Sequence, residues 1–319
     1  MKEKMMAVCL AAAMAVMLIA CSGSDTQSAD ETAASAETSA ETSDAQEEIQ
    51  EDTQDDTAAE TADEEEITFE SLTVMDNEEV SIIITGIETD GLWGYFSLNA
   101  ELENKSDDVT YMFSVEHASV NGLMSDPFYA SEVTAGNKSV DTIDFDMDTL
   151  EGYGIDQITD IEITFLVYDS DTWEDLAEET VHVYPYGEEN ASVYERTAQD
   201  TDLVLIDNDE MSLTLVGAGI DELWDSYTLE VYLVNKTDTL VVFGAEDAAV
   251  NGYMSDPYWA DEAAASKTLY STLYWDLTSL EDLGITDPES EIETIELTML
   301  QYDYDTYDTL SEETITVNP

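Results

Sequence analysis

The peptide VNGLMSDPFYA, Val120–Ala130, returns as VNGYMSDPYWA at Val250–Ala260. The recurrence is not isolated. DGLWGYFSLNAELENKS (Asp90–Ser106) matches DELWDSYTLEVYLVNKT (Asp221–Thr237), and DTLEGYGI (Asp148–Ile155) matches TSLEDLGI (Thr278–Ile285). YDSDTW (Tyr168–Trp173) matches YDYDTY (Tyr302–Tyr307). One offset of about 130 residues relates them all, slipping only where DPES (Asp287–Ser290) is inserted in the second copy. Two large copies predict two whole domains rather than a solenoid. They are expected at 67–185 and 201–319, joined by a linker at 186–200.

Each copy reads as all-β. Phe96, Leu98, Ala100 and Leu102 alternate with Ser97, Asn99, Glu101 and Glu103, and Tyr227, Leu229, Val231 and Leu233 hold the matching places. That period of two is a strand with one buried face. Ile143, Phe145 and Met147, matched by Leu273, Trp275 and Leu277, are expected to form a second. Ile161, Ile163, Phe165 and Val167 form a third, matched by Ile295, Leu297, Met299 and the anomalous Gln301. Three further β-rich runs bring the count to six or seven strands per copy, which fits two tandem immunoglobulin-like β-sandwiches. One helical turn per copy is expected, capped at Asp148 or Thr278 and ended by Gly154 or Gly284. The Asn-Gly steps of the opening peptide predict tight hairpins, since both residues tolerate positive φ.

The segment before the repeats is of another kind. Met1–Ala20 carries Lys2 and Lys4, then an apolar stretch too short to span a bilayer comfortably, then Leu18-Ile19-Ala20-Cys21. It resembles the lipobox of bacterial lipoprotein precursors. That resemblance implies a signal peptide at 1–20, removal before Cys21 and a lipid on that cysteine. More than one acyl chain would anchor the protein stably, at about 0.8 kcal/mol per buried CH₂. Residues 21–66 follow as the lipidated cysteine and an acidic tether. Ser22–Glu66 has no Lys, Arg or aromatic residue, so it cannot bury enough surface to offset ordering entropy. The two cysteines of the chain are Cys9 and Cys21, so on this reading no thiol remains and each domain is held by its core alone.

Taken together, the lipobox, the acidic tail, the ENKS and VNKT turns, the repeated VNGxMSDP stretch and the LxxxGI segments resemble uncharacterised surface lipoproteins of Gram-positive gut bacteria. That family is described as carrying immunoglobulin-like modules. The resemblance implies a lipid-anchored protein on the extracytoplasmic face of the cell membrane, and it supplies no activity or functional residue.

Charge narrows the partners. The chain carries 76 acidic residues against 7 Lys and Arg, a formal charge of -69. A nucleic-acid binder needs clustered cations, so that class is excluded. Docking on an anionic membrane surface is disfavoured for the same reason.

Candidate chemistry is sparse. The two histidines, His117 and His182, align with Asp247 and Thr316, so neither is duplicated and a histidine-dependent enzyme or zinc site finds no support. Asp144, Asp146 and Asp148 read D-x-D-x-D, but their counterparts are Tyr274, Asp276 and Thr278, and the alternation marks them as the wet face of a strand. The better calcium candidates are Asp169 and Asp171 with Asp303 and Asp305, kept in both copies in an expected turn. The sequons at Asn104 and Asn235 are read as turn residues after a strand. Duplicated aromatics are the other handle: Trp93 with Trp224, Phe128-Tyr129 with Tyr258-Trp259, and Trp173 with Tyr307. They are expected to plug the ends of the sandwiches. The competing reading exposes Phe128, Tyr129, Tyr258 and Trp259, beside Asp126 and Asp256, to a surface glycan or a protein partner. The sequence is therefore read as non-enzymatic, with no resident cofactor, built for binding at the cell surface. Alternatives are an accessory subunit of an envelope or transport complex, and a hydrolase.

Overall fold

The computed structural model describes residues 66–90 and 94–319. Cys21, the tether and Trp93 lie outside the described residues. Glu65–Pro319 forms one compact unit.

The first copy contains β1 (Leu72–Asp76), β2 (Val80–Asp90), β3 (Tyr95–Asn104), β4 (Tyr111–Val120), β5 (Leu123–Met124), β6 (Ala130–Val133), β7 (Lys138–Asp146), helix α1 (Met147–Gly152), β8 (Ile161–Asp169) and β9 (Asp175–Val183). The second repeats this order as β10 (Leu203–Asp207), β11 (Met211–Asp221), β12 (Ser226–Asn235), β13 (Val241–Val250), β14 (Tyr253–Met254), β15 (Ala260–Ala263), β16 (Thr268–Asp276), α2 (Leu277–Asp282), β17 (Ile295–Asp303) and β18 (Thr309–Val317). Within the two copies one element lacks a counterpart: α3 (Pro288–Glu291), the inserted DPES run. Each copy thus has nine strands, more than the six or seven read from the alternation. The extra ones are short, and two residues of strand are too few for a periodic signal.

In the first copy one sheet runs β1-β2-β3-β7, and β5, β6 and β8 all pair with β4, with β9 beyond β8. The pairings β3–β7, β4–β8 and β8–β9 are the B–E, C–F and F–G pairs of an immunoglobulin-like sandwich. The second copy repeats them as β12–β16, β13–β17 and β17–β18. Even the bulges recur: the register slips between Ile84 and Gly86 and again between Leu215 and Gly217.

The alternating residues build two cores. Ile161, Ile163, Phe165 and Val167 are all fully buried, as are Ile82, Ile84, Leu98 and Leu102. Burying one such side chain contributes about 1.5–3 kcal/mol. Trp275 sits in the second core and donates its indole N–H to the Ser255 carbonyl at 2.9 Å. Gln301, the anomaly of the third strand, is also fully buried. It donates to the Glu210 carbonyl at 3.3 Å and to Asn235 Oδ1 at 3.4 Å.

The helical turns are where the sequence placed them, but the cap differs. Asp146, not Asp148, caps α1, accepting from the Asp148 N–H at 3.1 Å and the Thr149 hydroxyl at 2.7 Å. Asp276 holds the equivalent place before α2. The helices begin directly off β7 and β16 at Met147 and Leu277, which ends those strands one residue short of the expected third inward pair; Asp146 caps α1 with its side chain, whereas Asp276 makes no side-chain hydrogen bond to α2. Gly154 and Gly284 end the turns at φ 91° and 87°, and Ile155 and Ile285 pack behind them.

The Asn-Gly steps form type I′ turns, with Asn121 and Gly122 at φ 51° and 87° and Asn251 and Gly252 at 50° and 82°. Asn121 does more than turn the chain. Its amide donates to the Gln157 carbonyl at 2.8 Å, and its oxygen accepts from Thr159 N, Thr159 Oγ1 and Asp160 N at 2.9, 2.9 and 3.0 Å. The turn therefore pins the segment that leads into β8.

The two sandwiches meet at this turn. The Thr268 N–H donates to the Gly122 carbonyl at 3.1 Å, and Leu123 pairs with Thr268 in parallel register. Tyr153 stacks on Tyr270 at 4.2 Å between centroids and 7° between planes. Lys267 Nζ meets Glu162 at 2.6 Å, and Glu162 also meets His182 Nε2 at 3.2 Å. The segment expected as a linker packs into the same place: the Tyr194 hydroxyl is 2.9 Å from both the Tyr153 carbonyl and the Tyr270 hydroxyl. Arg196 lies over the Tyr232 ring and forks onto Asp202. It is a wedge, not a free spacer.

Candidate functional site

The duplicated aromatic pairs divide by position. Tyr129 is buried in the first core, with its hydroxyl 3.4 Å from Asp141, and burial raises its pKa. Trp259 packs against the second core and donates its indole N–H to Ser271 Oγ at 2.7 Å. Phe128, by contrast, is 93% exposed. Tyr258 is exposed and stacks on the exposed Tyr274 at 5.3 Å. Phe128 and Tyr258 lie in the loops before β6 and β15, and the left-handed backbone at Phe128 turns its ring away from the core that takes Tyr129.

Three of the other duplicated rings, expected as end plugs, are outside. Trp173 and Tyr307 are about two-thirds exposed, and Trp224 is exposed at the tip of the β11–β12 hairpin. Trp173 lies flat against Tyr168 at 5.4 Å and 17°, and Tyr307 lies against Tyr302 at 6.4 Å and 27°. Each outer ring thus rests on a neighbour and offers its second face to solvent.

Their backbones share one unusual property. Phe128, Trp173 and Tyr307 adopt φ of 48°, 62° and 58°. This left-handed region costs an ordinary residue roughly 1–2 kcal/mol, and bulky side chains are rarely found there. Aspartates hold all three. Asp126 Oδ1 accepts the Phe128 N–H at 2.8 Å. Asp169 Oδ1 accepts from Asp171 N and Thr172 N at 2.8 and 3.1 Å, while its carbonyl accepts the Trp173 N–H at 2.9 Å. Asp303 Oδ1 accepts from Thr306 N and Thr306 Oγ1, both at 2.9 Å, and its carbonyl accepts the Tyr307 N–H at 2.9 Å.

Two of the calcium candidates, Asp169 and Asp303, are the residues that make these turn contacts. The backbone N–H groups that Asp169 and Asp303 accept hold both carboxyls below the usual carboxylate range. Asp171 and Asp305 are exposed, and no group of three or more acidic, His or Cys side chains among the described residues is placed to hold a metal. The aspartates shape aromatic turns.

The second-copy loop departs from the first. Asp256 accepts the Ala248 N–H at 2.8 Å instead of capping its own loop. Tyr258 is then free to bridge to Tyr274, with its N–H 2.9 Å from the Tyr274 carbonyl.

The histidines are not paired with a nucleophile. His117 is largely buried, 4.0 Å from Glu262, and burial lowers its pKa. His182 lies between Asp160 at 2.8 Å and Glu162 at 3.2 Å. Asn104 and Asn235 are fully buried. Asn104 donates to the Val109 and Val133 carbonyls at 2.8 and 2.7 Å, so a glycan cannot be attached there without unfolding the turn. Among the described residues no helix is long and apolar enough to cross a membrane.

No protein-family model and no curated protein matches this sequence. Solved structures resemble it distantly. Red sea bream transglutaminase aligns at 13% identity and TM-score 0.23, over 76% of this chain and 31% of its own. The Amycolatopsis orientalis exo-chitosanase CsxA aligns at 12% identity and TM-score 0.23, over 70% and 25%. A Porphyromonas gingivalis W83 protein of unknown function aligns at 11% identity and TM-score 0.19, over 70% and 91%. This chain therefore spans about a third or less of the two enzymes.

Proposed function

We propose that this is a surface-presentation protein. It is lipidated at Cys21, tethered by residues 21–66 on the extracytoplasmic face of the membrane, and it holds exposed aromatic rings toward a surface glycan or a protein without catalysing a reaction. One observation carries the binding part: Phe128, Trp173 and Tyr307 are exposed, left-handed and held by aspartates. Strain of this kind persists where the surrounding structure over-determines it, and it clusters at ligand sites. A ring that only filled space would sit more cheaply inside. Aromatic faces beside carboxylates suit the apolar face of a sugar ring or a cationic side chain.

A single set of variants tests the anchor and the site. Cys21→Ser releases the chain from membranes, measured by fractionation. The released chain binds on a glycan array or captures a defined protein partner. The triple variant Phe128→Ala, Trp173→Ala, Tyr307→Ala loses that binding with its thermal unfolding intact. Retention of the Cys21→Ser chain on membranes sinks the anchor. Binding that survives the triple substitution sinks the site.

A further inference from the structure

The two copies differ in what covers one end. In the first sandwich, the Asn121–Gly122 turn and β5 seat on the second sandwich, and Leu123 is 1% exposed. Met124 reaches the second core. The counterpart turn, Asn251–Gly252, has the same backbone geometry, yet Tyr253 and Met254 are 57% and 66% exposed. Glu296, the counterpart of the Lys267-bound Glu162, is exposed as well.

The receiving edge is duplicated too. It is occupied in β16, where Thr268 takes the Gly122 carbonyl and Tyr270 packs against the first core. In the first copy the same edge is β7, which ends its sheet. It starts at Lys138, the counterpart of Thr268. Val140, the counterpart of Tyr270, is 79% exposed on it. An uncovered strand edge with an apolar side chain is a pairing surface.

We propose that the Asn251–Met254 tip of the second sandwich docks on the β7 edge of the first sandwich of a second copy of this chain, head to tail. The contact repeats between molecules the seat already built inside each one. The Lys138 N–H takes the Gly252 carbonyl as Thr268 takes Gly122. Tyr253 and Met254 cover Val140. Glu296 comes beside the Lys138 ammonium, which Glu101 and Glu103 of its own sandwich already meet at 3.2 and 3.1 Å, in the place of the Glu162–Lys267 pair. Such a contact is heterologous, so it does not close on itself in a dimer and propagates to rings or filaments. The formal charge of -69 opposes it, so added salt strengthens association.

The test places a benzophenone amino acid at Tyr253 in the full-length chain and follows photo-crosslinking over protein and salt concentration. A ladder of dimers and larger species is expected, growing with salt, with adducts mapped to the β7 edge of a second copy. Val140→Asp reduces the ladder at least tenfold and Val204→Ala leaves it unchanged. Both positions are exposed, and unchanged thermal melts confirm that the variants fold. A monomer at every concentration, a ladder indifferent to Val140→Asp, or adducts to a different protein would each overturn the proposal.

Discussion

Phe128 shows how a single side chain can carry opposite demands. Its ring is almost wholly in water, and its backbone sits where an L-residue is strained. Asp126 holds it there through one hydrogen bond to its N–H. Glycine has no Cβ to clash at φ 48°, so Phe128→Gly relieves the strain, offset in part by the extra freedom glycine gives the unfolded chain. We expect the variant to be up to about 1 kcal/mol more stable in urea unfolding while binding weaker in the assay above. A loss of stability would mean that the ring packs in solution. Nothing in the sequence forecast this conformation. Asp-Pro-Phe announces an extended exit from a turn, and positive φ at a bulky residue has no compositional signature. Asn104 was legible only by half. Its place after a strand marked a turn, but its burial against Val109 and Val133 depends on chain segments that converge only in the fold.

Strands and hairpins were the most legible elements, because a period of two is written directly into β3, β8 and their counterparts and Asn-Gly forces the I′ turns. What alternation cannot tell is which outward face later becomes a contact. Glu116 on β4 is such a case. It reads as a wet-face residue, yet it lies half-buried near Glu178 and Asp175 of its own sandwich and Glu262 and Asp305 of the other. Desolvation first, and these carboxylates second, push its pKa up to about 7. The unfolded chain releases the same proton near the ordinary glutamate value. Between those two values the folded state holds the extra proton, so this contribution makes stability fall as pH rises, and the loss is complete above 7. Neighbouring His117 acts in the opposite sense, since burial lowers its pKa and favours the neutral form at higher pH. Glu116→Gln isolates the carboxylate. It should raise the melting temperature at about pH 8 and leave it unchanged at about pH 4, where the carboxyl is protonated folded or unfolded. An equal shift at both values would assign the effect to packing rather than titration.

Duplication made the whole molecule readable as two similar bodies, but not as bodies that share a junction. Beside the duplicated Asn121–Gly122 turn and Glu162, the junction uses side chains that the other copy does not repeat: Tyr194 and Arg196 fall in the intervening segment, and Lys267 and Tyr270 align with Asn137 and Val140. A comparison of the copies therefore passes over them. Tyr270 is the centre of that junction. It stacks on Tyr153, shares a hydrogen bond with Tyr194 and tilts against Tyr232 at 5.1 Å. The ring lies between the sandwiches, so its removal leaves either core almost intact while weakening their coupling. Stacked aromatic pairs contribute about 0.5–1.5 kcal/mol beyond the area they bury. If that coupling makes Glu65–Pro319 unfold as one body, calorimetry on the wild-type chain gives a single transition with equal calorimetric and van't Hoff enthalpies. Tyr270→Ala should then split the transition, or raise the calorimetric enthalpy above the van't Hoff value, with the total heat little changed. Tyr270→Phe keeps the stack and loses the hydroxyl contact to Tyr194, so it should fall between the two. A single sharp transition in Tyr270→Ala would show that the Gly122–Thr268 seat and the Glu162–Lys267 pair couple the sandwiches without the ring.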